Sequence, residues 1–457
     1  MPRFQYVARR VALAAIAAAA LASCDDDKKE LLGVDTSNRA GGSLFDSYVA
    51  LGNSLTAGWQ SGGINDSTQR QSYAYLLAKQ AGARFVYPSL AKPGCPIPAT
   101  NFGDVVAQTC AFRIVRANEA PLNNVGVPLA FLFDSSLAFP YDTTRSAPTG
   151  FPRRSTTAAA NALQTIILGG ETQIQRAVDA RATFVSLWIG NNDVLAPASV
   201  GLLTGVAGQA PPLLPTASYT NAAKFVVDSL ARAVPTIRGG IIIGVVNVGG
   251  APRFFSGSAL WTGTGPTAPG TPTALAASIS TITGKTVTIL PNCAGSTNLI
   301  STVLIEQIKN FDPTTTPARG YPPVISCEPA TVPGVPTSAQ LGNFFILSGP
   351  EQTAISAAVK AINDTLLVKA NQYGWAFYDP NNTTNGLPAL KTAGIIPSVP
   401  NFTDPKNPFG LGISVDGVHP RRPVSALVTN ALIDVINAKY QLSIPKITDT
   451  TSPVDPQ

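Results

Sequence analysis

Five short, mostly apolar runs, spaced out by helix-like stretches, limit most tightly what this chain can fold into. The runs are Ser47 to Leu51, Arg84 to Tyr87, Thr183 to Ile189, Gly240 to Val248 and Gly374 to Tyr378. A strand that is apolar throughout, instead of alternating apolar with polar, must bury both of its faces. Helix-like segments follow or separate them at Tyr73 to Ala81, Ala158 to Ala180, Asn221 to Val234, Glu351 to Tyr373 and Pro423 to Tyr440. Strands covered on both sides by intervening helices imply an α/β fold: a three-layer α/β/α sandwich around a mainly parallel sheet of about five strands.

The N-terminus reads as a targeting segment. Arg3, Arg9 and Arg10 precede the Ala-rich run Val11 to Ala22, which at about 12 residues is too short to span a bilayer and fits a signal peptide. Its ending, Leu21-Ala22-Ser23-Cys24, resembles a bacterial lipobox, in which Cys24 is lipidated and becomes the first residue. The expectation is a leader over 1–23, a polar tether over 24–43, one catalytic domain over 44–445 and a tail over 446–457. That places the protein outside the cytoplasm, anchored to a bacterial membrane on its periplasmic face or at the cell surface.

The leader carries three of the 32 Lys and Arg and none of the 26 acids, so the remainder has 29 basic residues, a net charge of +3 instead of +6. No basic stripe is left that would favour nucleic acid. With Cys24 given to lipid, Cys95, Cys110, Cys293 and Cys327 remain, an even set that implies two disulfides in an oxidising compartment. Three pairings are possible. Cys95–Cys110 with Cys293–Cys327 is preferred, because each bridge closes a loop inside one Pro-rich segment. The spacings lack a Cys-x-x-Cys zinc pattern, and a chain with one histidine cannot build a multi-His metal centre. No metal or other cofactor is expected.

Two stretches break the strand–helix rhythm. Residues 92–152 are Pro-rich, and residues 252–343 are rich in Thr, Pro, Gly and Ser. Both follow strands, where open α/β sheets bind their ligands. They read as insertions that wall a substrate cleft, with Trp59 and Trp188 as possible contacts or plain core residues.

Four short segments carry the chemistry. Gly52-Asn53-Ser54-Leu55 follows the first strand, where a serine can present its hydroxyl near a helix N-terminus or merely cap that helix. Pro93-Gly94-Cys95 follows the second. Gly190-Asn191-Asn192-Asp193 ends the third. Asp416-Gly417-Val418-His419-Pro420 follows the last, with an Asp spaced to orient the imidazole of the sole histidine. Each alone is an ordinary turn. Their order makes the chain resemble the GDSL, or SGNH, hydrolase family over residues 45–250 and 345–440, on the Tyr48-to-Gly58 run and the Asp416-to-Pro420 run above all. The one departure is Asn53, where the family has Asp.

The resemblance implies acyl transfer to water from a carboxylic ester. Ser54 would be the nucleophile, His419 the base and Asp416 its partner; the oxyanion would be held by the N–H groups of Ser54 and Gly94 and the amide of Asn192. The substrate could be an acetylated glycan, a lipid or another small acyl ester. Two further readings stay open: an acyltransferase using the same three residues, and a surface binding lipoprotein on a hydrolase fold that no longer turns over. Gly-x-Ser-x-Gly is absent, which excludes an α/β-hydrolase elbow, and Ser89-Leu-Ala-Lys92 lacks the companion motifs of a β-lactamase.

Overall fold

The computed structural model describes residues 40–103, 120–132, 163–164, 166–169, 171–204, 212–262, 272–315, 320–328 and 345–453. The expected leader, Cys24 and Cys110 lie outside these residues.

Four parallel strands form the main sheet: β1 (Tyr48–Gly52), β2 (Phe184–Trp188), β3 (Gly239–Ile243) and β9 (Ala376–Tyr378), in the order β1-β2-β3-β9. Tyr48 pairs with Phe184, Phe184 with Gly239, and Ile241 with Ala376. Successive side chains leave a strand on opposite faces, and here they enter two separate cores. Tyr48, Ala50, Phe184, Trp188, Ile241 and Ile243 pack with helices α2 (Tyr73–Ala81) and α7 (Arg422–Tyr440). Val49, Leu51, Val185, Leu187 and Ile242 pack with α3 (Gln173–Asp179), α5 (Thr216–Ala233) and α6 (Gly349–Gln372). A sheet buried on both faces is an arrangement compatible with a three-layer α/β fold.

The sheet has one strand fewer than the five expected. Arg84 to Tyr87 is not a strand. Its backbone meets residue Asn123 through Val86 alone, by Asn123 N–H to Val86 O (2.7 Å) and Val86 N–H to Asn123 Oδ1 (2.9 Å). Pro88 then follows, with no N–H to continue a ladder. The free edge of β1 is taken instead by residues 123–127: Ala50 N–H donates to Asn123 O, and Val125 and Val127 donate to Ala50 O and Gly52 O. The helix expected over Ala158 to Ala180 is also broken. Gly169 takes φ 66°, and α3 restarts behind a capping box at Thr172.

The described part of 252–343 has architecture of its own. Strands β4 (Phe254–Ser256) and β6 (Leu299–Ser301) form an antiparallel sheet that β8 (Ile346–Leu347), just past the segment, completes, and β5 (Thr288–Ile289) pairs with β7 (Val324–Ile325). Cys293 and Cys327 are disulfide-bonded, as the local pairing expected. Cys95 is also in a disulfide. Phe255, Ile300, Leu304 and Ile308 join the same core as α2 and α7, so the segment is packed into the molecule. No helix among the described residues is long and apolar enough to cross a membrane.

Candidate active site

β1 ends at Gly52, which has φ 153°. A Cβ there would collide with the Thr56 hydroxyl and the Trp188 carbonyl, so only glycine fits the turn. Gln173, wholly buried, reaches across from α3 and clamps this residue twice. Gly52 N–H donates to Gln173 Oε1 (2.7 Å), and Gln173 Nε2 donates back to Gly52 O (2.9 Å). The chain then enters the one-turn helix α1 (Ser54–Ala57). Asn53 caps it, its Oδ1 accepting from Leu55 N–H at 3.1 Å. An Asp at this position would offer the same acceptor oxygen. From the far side Asn124 Nδ2 donates to Thr56 O (2.9 Å), and Gly126 lies so close to Thr56 and Ala57 that no side chain would fit between.

Ser54, 6% exposed, meets a turn from the other end of the chain. His419 Nε2 lies 2.8 Å from Ser54 Oγ, and His419 Nδ1 lies 2.8 Å from Asp416 Oδ2. An ionised carboxylate only accepts, so Nδ1 carries the proton and Nε2 is left to accept from the Ser54 hydroxyl. This turn ties itself together. Asp416 Oδ1 accepts from the Ser414 hydroxyl (2.8 Å), Val418 N–H (2.9 Å) and His419 N–H (3.0 Å). Ser414 N–H donates to His419 O, and Gly417 takes φ 70° at the bend. Arg253, at the start of the inserted segment, donates through its backbone N–H to Gly417 O (2.8 Å) and through Nε to Asp416 O (3.0 Å).

Burial alone pushes the Asp416 carboxyl up. The facing His419 charge and hydrogen bond, with help from Arg253 and the His419 backbone N–H, outweigh it and hold the group well below the usual carboxylate range. Asp416 therefore stays ionised and faces the imidazole as a fixed negative charge. This is the electrostatic condition a general base needs.

Asn192 opens helix α4 (Asn191–Val200), after Gly190 in a left-handed conformation of φ 101°. Its Nδ2 donates to Ala130 O (2.9 Å). The residues beside it fasten the same turn to neighbouring loops. Asn191 Oδ1 accepts from Val246 N–H (2.9 Å), its Nδ2 being buried without a partner, and Asp193 Oδ2 accepts from Leu132 N–H (2.9 Å). Gly94, by contrast, lies in a loop against Ile64: Cys95 N–H donates to Ile64 O (2.9 Å), and a Cβ on Gly94 would sit 2.7 Å from that oxygen. Among the described residues no hydrogen bond joins Gly94 to Ser54, Asn192 or His419. The backbone adjoining both α1 and Asn192 is that of 124–132. Trp188 is core, its Nε1 donating to Gly244 O at 2.9 Å, and Trp59 is half-buried beside Leu90 and Cys95.

Gln173, Arg253, Ser414 and the 124–132 segment were not singled out by sequence. Gln173 and Arg253 act across 121 and 163 positions, with no local pattern to mark them. Ser414, two residues before Asp416, did offer a signal, since a Ser so placed readily bonds a neighbouring carboxylate. No protein-family model, no curated protein and no solved structure matches the chain.

Proposed function

We propose that this chain is a serine hydrolase of the GDSL/SGNH type, cleaving carboxylic esters through an acyl-enzyme on Ser54. The observation that carries the reading is the continuous path Asp416–His419–Ser54, with both links at 2.8 Å. His419 Nε2 takes the Ser54 proton as Oγ bonds to the ester carbonyl carbon. The collapsing tetrahedral intermediate expels the alcohol, which receives that proton. Water then attacks the acyl-enzyme by the same route in reverse. Ser54 N–H, in the first turn of α1, and the second amide hydrogen of Asn192 are the donors assigned to the oxyanion. Gly94 N–H is the third donor assigned; its loop is tied to Ile64, two residues from Gly62, whose N–H donates to Asp416 Oδ2 at 3.4 Å.

A fluorophosphonate probe should label the folded protein at Ser54, and Ser54→Ala should lose both the label and at least about 10⁴-fold of its p-nitrophenyl ester turnover. An unlabelled wild-type protein would favour the non-catalytic reading. The Leu21-to-Cys24 pattern supports export with a lipid anchor; the protein should partition with membranes and Cys24→Ala should release it, whereas equal partitioning of both would remove the anchor.

A further inference from the structure

Beside the Ser54–His419 pair lies an apolar cleft that opens to solvent; ligand sites are typically concave and mostly apolar. Its wall includes the sequence neighbours of both groups. Leu55, the residue after Ser54, and Val418 and Pro420, which flank His419, all form part of its wall. Most of the rest is branched aliphatic, with Leu195, Val246, Ile413 and Val428 among the contributors beside Trp188, Asn191 and Ala251, and no charged side chain lines it. The polar groups present are almost all engaged: the Trp188 N–H by Gly244 O and the Asn191 oxygen by Val246 N–H. Only the Asn191 amide nitrogen is left over. On adjoining loops at the rim, Ile395 and Leu411 are exposed (40% and 59%) next to the wall residues Ile396 and Ile413.

Resting on the serine-hydrolase reading, we propose that this cleft holds the acyl chain of the ester and that the chain is a flexible, medium-length aliphatic one. An acetyl group would leave the apolar wall facing water. A sugar ring would find few hydroxyl partners, and the one aromatic wall residue, Trp188, is 3% exposed with its N–H already donated to Gly244 O. An aliphatic chain matches branched aliphatic walls and gains from each methylene it buries.

The test is kcat/KM across p-nitrophenyl acetate, butyrate, hexanoate, octanoate and benzoate, with fluorophosphonate labelling in parallel. The value should rise about fourfold per added methylene up to octanoate, the transfer preference of one CH₂, with benzoate slower than octanoate. Ala251→Phe, which fills the wall, should cut the octanoate-to-acetate ratio at least about tenfold. Leu387→Gln, at the half-buried lip where folding is less at risk, should cut it about fourfold. A flat or falling series on protein that still labels at Ser54, a faster benzoate, or an unchanged ratio in both variants would overturn the acyl-chain assignment alone. Absence of labelling and of all hydrolysis would overturn the hydrolase reading beneath it.

Discussion

The two turns that meet in the site are held by opposite means. The Ser54 turn is fixed from outside: Gln173 clamps Gly52, Trp188 O accepts from Asn53 N–H, and Asn124 holds the end of α1. The Asp416–His419 turn is fixed mostly from within, around one carboxylate oxygen that accepts from Ser414, Val418 and His419. On the proposed roles, a nucleophile positioned by the fold and a base positioned largely by its own turn, braced from outside by Arg253, Ser61 and Gly62, fail in different ways. Damage to the first should appear as lost stability, and damage to the second as lost chemistry.

The largest effect tests the self-contained turn. Asp416→Asn should lower kcat by about 10³–10⁴-fold, because the neutral amide no longer stabilises the imidazolium or fixes its tautomer. Its urea midpoint should stay near that of the parent protein; global unfolding would show that the turn depends on more than its own bonds. Asn192→Ala should cost about 10²–10³-fold in kcat with little change in KM, if its amide serves the oxyanion. An equal kcat would leave Asn192 a strut to Ala130. The smallest loss of rate, and the largest of stability, belongs to Gln173→Leu. It strands the buried Gly52 N–H, so urea melts should show about 1–3 kcal/mol of destabilisation, with kcat lowered no more than about tenfold. A larger fall in kcat at unchanged stability would reverse the contrast.

The same contrast explains what could be read without coordinates. Asp416 and His419 sit three positions apart, and the hydrogen bonds that join them lie within one turn, so their spacing together with the order of the four segments marks the pair. The partners of Ser54 and its turn are spread from Gln173 and Trp188 to His419, so Gly52-Asn53-Ser54 alone reads as a helix cap and only the longer Tyr48-to-Gly58 run marks it. The sheet was legible wherever apolar runs were bounded by long helices, as at β2 and α5. It was not legible at the edge of β1, where Arg84 to Tyr87 has the apolar character of a strand but 123–127 makes the hydrogen bonds. Edge pairing is decided by backbone geometry and by Pro88, which hydrophobic pattern does not report. Gly94 was chosen for being the glycine after that expected strand. Once the edge moved to 123–127, the backbone next to Asn192 moved with it.

The hydrogen bond between Ser54 and His419 spans 365 positions of sequence. At a translation rate of about 5–20 residues per second, the serine exists for about 20–70 s before its histidine is made. Any chain cut short in that interval, by stalling or by proteolysis from the C-terminal side, carries a serine with no base to activate it. Closing such a distant contact also belongs among the slow steps of folding. In the proposed serine hydrolase, reactivity would therefore be withheld until His419 has been made and has met Ser54.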